Sequence, residues 1–120
     1  MKRKIKVNQI NKLQNRVKHE WLEVPRTQDL KTWALLGLVS EVGEVSGEIK
    51  KAFRGEQLNT ENLKEELGDT LHYLIALGNL YGWDLESLAE SNNSKLDKRF
   101  PKGYSLEDAI LKRDKRCATD

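Results

Sequence analysis

Glu41 and Glu44 stand three residues apart in "LVSEVGEVSGEIKKAF", residues 38–53, with Glu48 one turn further on. Glu66 and Asp69 repeat that spacing in "LKEELGDTLHYLIALG", residues 63–78. On a helix advancing roughly 100° per residue, Glu41, Glu44 and Glu48 fall within about 60° of arc. An apolar stripe of Leu38, Val42, Val45 and Ile49 begins beside them, and Leu63, Leu67, Leu74 and Leu77 stand in the same relation to the second pair. If the two helices pack antiparallel, the acid pairs converge. Two like charges about 4 Å apart repel by roughly 4 kcal/mol at an effective dielectric near 20. Four carboxylates in one cleft therefore call for a cation, and an oxygen-only donor set suits a hard one such as Mg²⁺, which commonly binds phosphates as well.

The elements that must hold these acids are helical. No stretch alternates apolar and polar residues long enough for a strand, and the apolar spacings are three and four throughout. Ile10, Leu13, Val17 and Trp21 predict a first helix over 8–21, ending before Pro25. A second is expected over 28–53, stopping at Gly55, where a left-handed cap is cheap. Thr60 is the expected N-cap of a third, running to Gly82, and Asp84 that of a fourth, ending at Phe100-Pro101. Ser105 with Asp108 resembles a capping box for a short fifth helix over 106–112. Gly43 and Gly47 are costly inside a helix, at about 1 kcal/mol each relative to alanine. They share a side of the second helix, where they would let another backbone approach.

Composition excludes several classes. The chain has 120 residues, enough for one core, with 33% charged and 38% hydrophobic residues and a formal net charge of +2. Its ends are basic and its middle acidic, which argues against a nucleic-acid partner. No apolar run suggests a signal peptide or a bilayer span, so the expected setting is the cytoplasm, with no membrane partner. Cys117 is the single cysteine, which rules out an internal disulfide and a cysteine-based zinc site. The expected organisation is a basic tail at 1–7, one domain at 8–113 and a C-terminal tail at 114–120.

The four-acid pattern, followed by N-x-x-K-L-x-x-R-F-P from Asn92 to Pro101, resembles the MazG-like all-α nucleoside triphosphate pyrophosphohydrolases over roughly residues 8–113. The resemblance implies a four-helix-bundle-type fold with a short C-terminal fifth helix, the bundle being completed by dimerisation into a homodimer or homotetramer. It implies that Glu41, Glu44, Glu66 and Asp69 ligate Mg²⁺, with Mn²⁺ as a substitute, and carry the catalysis. It places Lys51 near the triphosphate, Asn92, Lys95 and Arg99 on the substrate, and Tyr73 at a recurrent tyrosine position. Many members carry a further glutamate directly before the E-x-x-E; here that residue is Ser40. The N-terminal helix matches least well.

The implied reaction is hydrolysis of a nucleoside triphosphate to the monophosphate and pyrophosphate. Glu41 or Glu44 is placed to take the proton of the attacking water. Lys51, Lys95 and Arg99 are placed to stabilise the departing charge. Competing readings are plainer. Lys95 and Arg99 suit a helix C-terminus, Glu48 can pair with Lys51 or Lys64, Trp21 and Trp33 read as packing, and His72 reads as a surface histidine. A di-iron bundle needs Glu-x-x-His on two helices, and only Asp69 to His72 comes near. The alternative that retains the acids is a non-catalytic helical regulator binding nucleotide or protein.

Overall fold

The computed structural model describes residues 8–25 and 29–112. Both expected tails, Cys117 and the expected start of the second helix at position 28 lie outside the described residues. The described chain is all-helical: α1 is Gln9–Leu22, α2 Leu30–Phe53, α3 Thr60–Leu80, α4 Leu85–Arg99 and α5 Leu106–Leu111. Apart from an isolated bridge between Pro101 and Gly103, no β structure occurs among the described residues.

Four of the five starts, those of α1, α2, α3 and α5, are fixed by a short polar side chain that accepts from an otherwise unsatisfied backbone N–H. Asn8 accepts from Ile10, Asp29 from Thr32 at 3.1 Å, and Ser105 from Asp108 at 3.1 Å. The Thr32 hydroxyl also donates to Asp29, and these bonds hold that carboxyl below its ordinary range. For α3 the cap is Asn59, which accepts from Asn62 at 3.1 Å, and Thr60 is the first helical residue instead. α2 and α3 end alike. Gly55 at φ 104° and Gly82 at φ 83° take the left-handed position. The next residues, Glu56 and Trp83, donate back to Lys51 and Gly78 at 3.1 and 2.9 Å, the paired closure that satisfies the last carbonyls.

The chain divides into two units, 1–84 and 85–120. In the first, α2 and α3 run antiparallel, because Gly37 meets Tyr73 while Glu41 meets Glu66. α1 is antiparallel to α3 as well, with Gln14 bonded to Asn79 and Trp21 to His72. Val17, Ala34, Ile75 and Ala76 are fully buried and make the core. In the second unit α4 packs with α5.

Gly37 is the close approach. A Cβ there would lie 2.7 Å from Tyr73 Cζ and closer still to other ring atoms, whereas at Gly43 and Gly47 it would meet nothing within 4 Å among the described residues. The glycines expected to admit a second backbone therefore meet none among the described residues, and the close approach lies a turn before the acids, where Gly37 meets the Tyr73 side chain. The apolar stripe beside the acids is also largely uncovered: Val42, Ile49, Leu67 and Leu74 are 51, 47, 52 and 40% exposed. Gly37→Ala should cost about 1–3 kcal/mol, the usual range for overpacking. Gly43→Ala and Gly47→Ala should be neutral or gain up to about 1 kcal/mol. Urea denaturation measures all three, and a loss at Gly43 would mean that a partner backbone lies there.

Candidate functional site

The site grows out of two facing rows of side chains. Along α2, Leu30, Ala34, Gly37, Glu41, Glu44, Glu48 and Lys51 follow one another at spacings of four and three, which keeps them on one side of the helix. Along α3 the same rhythm runs through Glu66, Asp69, Tyr73, Ala76 and Leu80. In antiparallel register the small residues of α2 meet the apolar half of α3, and the acids meet the acids. Gly37 leaves room there for the Tyr73 ring, and the carboxylates follow a turn further on.

Glu41, Glu66 and Asp69 each offer a carboxylate oxygen, and these oxygens lie within 4.8 Å of one another. Glu41 and Glu66 are half-buried and Asp69 is exposed. Glu44 is outside this trio and exposed, but its charge still acts on Glu66. Glu66 is pushed up from 4.5 to about 7, first by a hydrogen bond with the Glu41 carboxyl, then by partial burial and the charges of Glu41, Glu44 and Asp69. The pair thus keeps a proton where two bare carboxylates would repel. A cation bound between them would replace that proton, and the all-carboxylate donor set fits a hard divalent ion.

The remaining expected site residues are distributed as follows. Lys51 continues the α2 row past the acids, and its Nζ lies 3.3 Å from Glu48, the plain pairing foreseen for that glutamate. Tyr73 stands four residues after Asp69, with its ring over Gly37 and in edge contact with Trp21 and His72. Asn92, Lys95 and Arg99 belong to α4, where they share a face within about 60° of arc; Asn92 and Lys95 are exposed and Arg99 half-buried. His72 departs from the expectation of a surface residue. It is half-buried, with Nε2 accepting from Trp21 Nε1 at 3.4 Å, because α1 crosses α3 at this point. Trp21 packs edge-on against Trp33, centroids 6.3 Å apart.

Sequence reasoning overlooked Gln14 and Asn79, which bond to each other across α1 and α3. The signal for Asn79 is a polar amide inside an apolar run, "LIALGNL", whereas Gln14 stands in the polar stretch "LQNRV" and carries no such signal.

Among the described residues, carboxylates thus converge from two antiparallel helices into an acidic cluster that could hold a metal ion. The model of the MazG nucleotide pyrophosphohydrolase domain matches residues 30–104. The chain belongs to that family. It is similar to the Gene 37 protein of Mycobacterium phage L5, 32% identical over 77 residues that cover 60% of this chain and 68% of the relative. It also resembles the uncharacterized protein YvdC of Bacillus subtilis (strain 168), 35% identical over 60 residues, half of this chain and 55% of that protein's length. No solved structure matches. Among the described residues no helix is long and apolar enough to cross a membrane.

The raised carboxyl has a consequence for stability. Between its unfolded value of 4.5 and its folded value of about 7, Glu66 binds more proton in the folded chain than in the unfolded one. Stability from this group is complete below the lower value and is lost as pH rises through the higher one. In chelator, the melting temperature should fall from pH 4.5 to 7 more steeply than in Glu66→Gln, and a divalent cation should recover the loss at neutral pH. Equal slopes for the two proteins would remove the shared proton.

Proposed function

We propose that the chain hydrolyses a nucleoside triphosphate to the monophosphate and pyrophosphate, using a divalent cation, Mg²⁺ with Mn²⁺ as a substitute, held by Glu41, Glu44, Glu66 and Asp69. The observation that carries this reading is the convergence of Glu41, Glu66 and Asp69 within 4.8 Å, in a member of a family whose domain is described as a nucleotide pyrophosphohydrolase.

The reaction adds water across one phosphoanhydride bond. A P–O bond forms to the water oxygen, the bond between the α and β phosphoryl groups breaks, and the water proton passes to a carboxylate. Bound cation supplies charge neutralisation on the phosphate oxygens and a lowered pKa for the attacking water. Glu41, Glu66 and Asp69 hold the charge centre between two rigid helices, which fixes where the triphosphate must lie. Glu44 stands one turn from Glu41 and outside the close trio, so of the four it is the one that can leave the cation and take the water proton instead. Lys51 is the exposed member of its pair with Glu48, so its ammonium can swing from that carboxylate towards the terminal phosphates. Asn92, Lys95 and Arg99 are assigned to substrate on the strength of their common face on α4 and their match to the family pattern.

The uncovered apolar row beside the acids supports the assembly reading. Leu35, Val39, Val42, Ile49 and Phe53 follow at helical spacing on α2, each between 47 and 93% exposed. A contiguous apolar face of this kind marks an interaction surface, and a second copy of the chain, forming a homodimer or homotetramer, is the occupant we assign to it.

Pyrophosphate release from a panel of standard and modified ribo- and deoxynucleoside triphosphates, with Mg²⁺, with Mn²⁺ and with chelator, tests the activity. Metal-dependent release is expected, and no release from a folded protein would favour the binding regulator. Glu41→Ala and Asp69→Ala should abolish turnover while helicity by circular dichroism is retained; a loss of helicity would make those acids structural. Lys95→Ala should raise KM several-fold with a smaller change in kcat, and an unchanged KM would take Lys95 out of the site.

A further inference from the structure

Glu48 continues the α2 row beyond Glu44 and stands outside the trio of carboxylates that converge. Its pair with Lys51 is uneven. The Glu48 side chain is only 12% exposed and that of Lys51 52%, so one partner is enclosed while the other reaches into solvent. Lys51 Nζ donates to Glu48 Oε1 at 3.3 Å. A lysine ammonium carries three N–H donors on a flexible four-carbon stem. This bond engages one of them and ties the moving end of the stem to an oxygen that is itself confined.

The register of α2 on α3 favours a carboxylate at this point. Gly37 meets Tyr73 and Glu41 meets Glu66, so continuing the antiparallel match brings Glu48 opposite the first turn of α3, about residues 59–62. The start of a helix carries partial positive charge, which suits a carboxylate beside it. Glu48 also stands about 6 Å along α2 from Glu44 and about 10 Å from Glu41, at 1.5 Å per residue. An ammonium held at Glu48 is therefore set off from the acid cluster along the same face of the helix. A polyphosphate with one end on a cation between Glu41, Glu66 and Asp69 would bring its other end towards that ammonium.

We propose that Glu48 is a positioning residue for the polyphosphate: its enclosed carboxylate anchors the Lys51 ammonium beside the acid row, so that Lys51 meets the terminal phosphates without first being ordered. The proposal rests on the pyrophosphohydrolase reading for the role of Lys51. One N–H stays on Glu48 as a pivot, and the other two are offered to phosphate oxygens. Ordering a long side chain at the moment of binding weakens affinity, and a residue already held in place avoids that loss. Charge alone predicts the opposite effect of Glu48, because a carboxylate near a polyanion repels it. The sign of the effect therefore separates an anchor from a competitor.

Calorimetric binding of inorganic tripolyphosphate in Mg²⁺ tests this with the full chain and without hydrolysis of a nucleotide. Glu48→Leu should raise Kd about fivefold, and Glu48→Gln, whose amide oxygen still accepts from Lys51, should fall between it and the wild type. In a Lys51→Ala background Glu48→Leu should change Kd by less than about twofold, because nothing is left to position. A merely structural glutamate would weaken binding equally in both backgrounds. That result, tighter binding in Glu48→Leu, or no binding of tripolyphosphate to the wild type overturns the proposal. The same four proteins assayed for KM on a triphosphate that is turned over separate the two readings. Turnover with independent effects of the two substitutions removes the anchor and leaves the enzyme. Coupled effects on tripolyphosphate binding without turnover of any triphosphate remove the enzyme and leave the anchor.

Discussion

Everything at this site follows from how closely α2 and α3 approach. Gly37 presents no side chain to α3, and the ring of Tyr73 lies where a Cβ on Gly37 would be. Helices kept near each other by small residues at one end remain near each other a turn or two later, since each is a stiff rod of regular rise. The residues that occupy that later position are Glu41 on one helix and Glu66 and Asp69 on the other. Packing at the apolar end thus sets the electrostatic strain at the acidic end. The strain is visible in Glu66, which keeps its proton to about 7 because of its hydrogen bond with the Glu41 carboxyl, its partial burial and the neighbouring acids.

That coupling explains why the cost of the acids is tolerable. Carboxylates forced together by a rigid frame relax in only two ways, by binding a proton or by binding a cation. Proton sharing serves at low pH and leaves the frame loaded at neutral pH. A divalent ion bound between the carboxylates would discharge it. An acid cluster built on helix interiors differs in this from one on a loop, which would spread apart and lose the geometry.

Much of this was legible in the sequence because it is periodic. Spacing of three and four located the helices, and the acids at 41, 44, 66 and 69 announced themselves as a repeated pattern. Caps were legible to within a residue: Asn59 and Thr60 are both good caps, and only the hydrogen bond from Asn62 decides between them. Contacts between helices were far less legible. Nothing in the one-dimensional pattern distinguishes Gly37 from Gly43 or Gly47, since all three cost a helix the same and differ only in what faces them. His72 looked outward on its own helix wheel, and the crossing of α1 that brings Trp21 to its Nε2 is a fact of tertiary packing. The bond between Gln14 and Asn79 joins residues 65 apart in the chain, and no local rule links them.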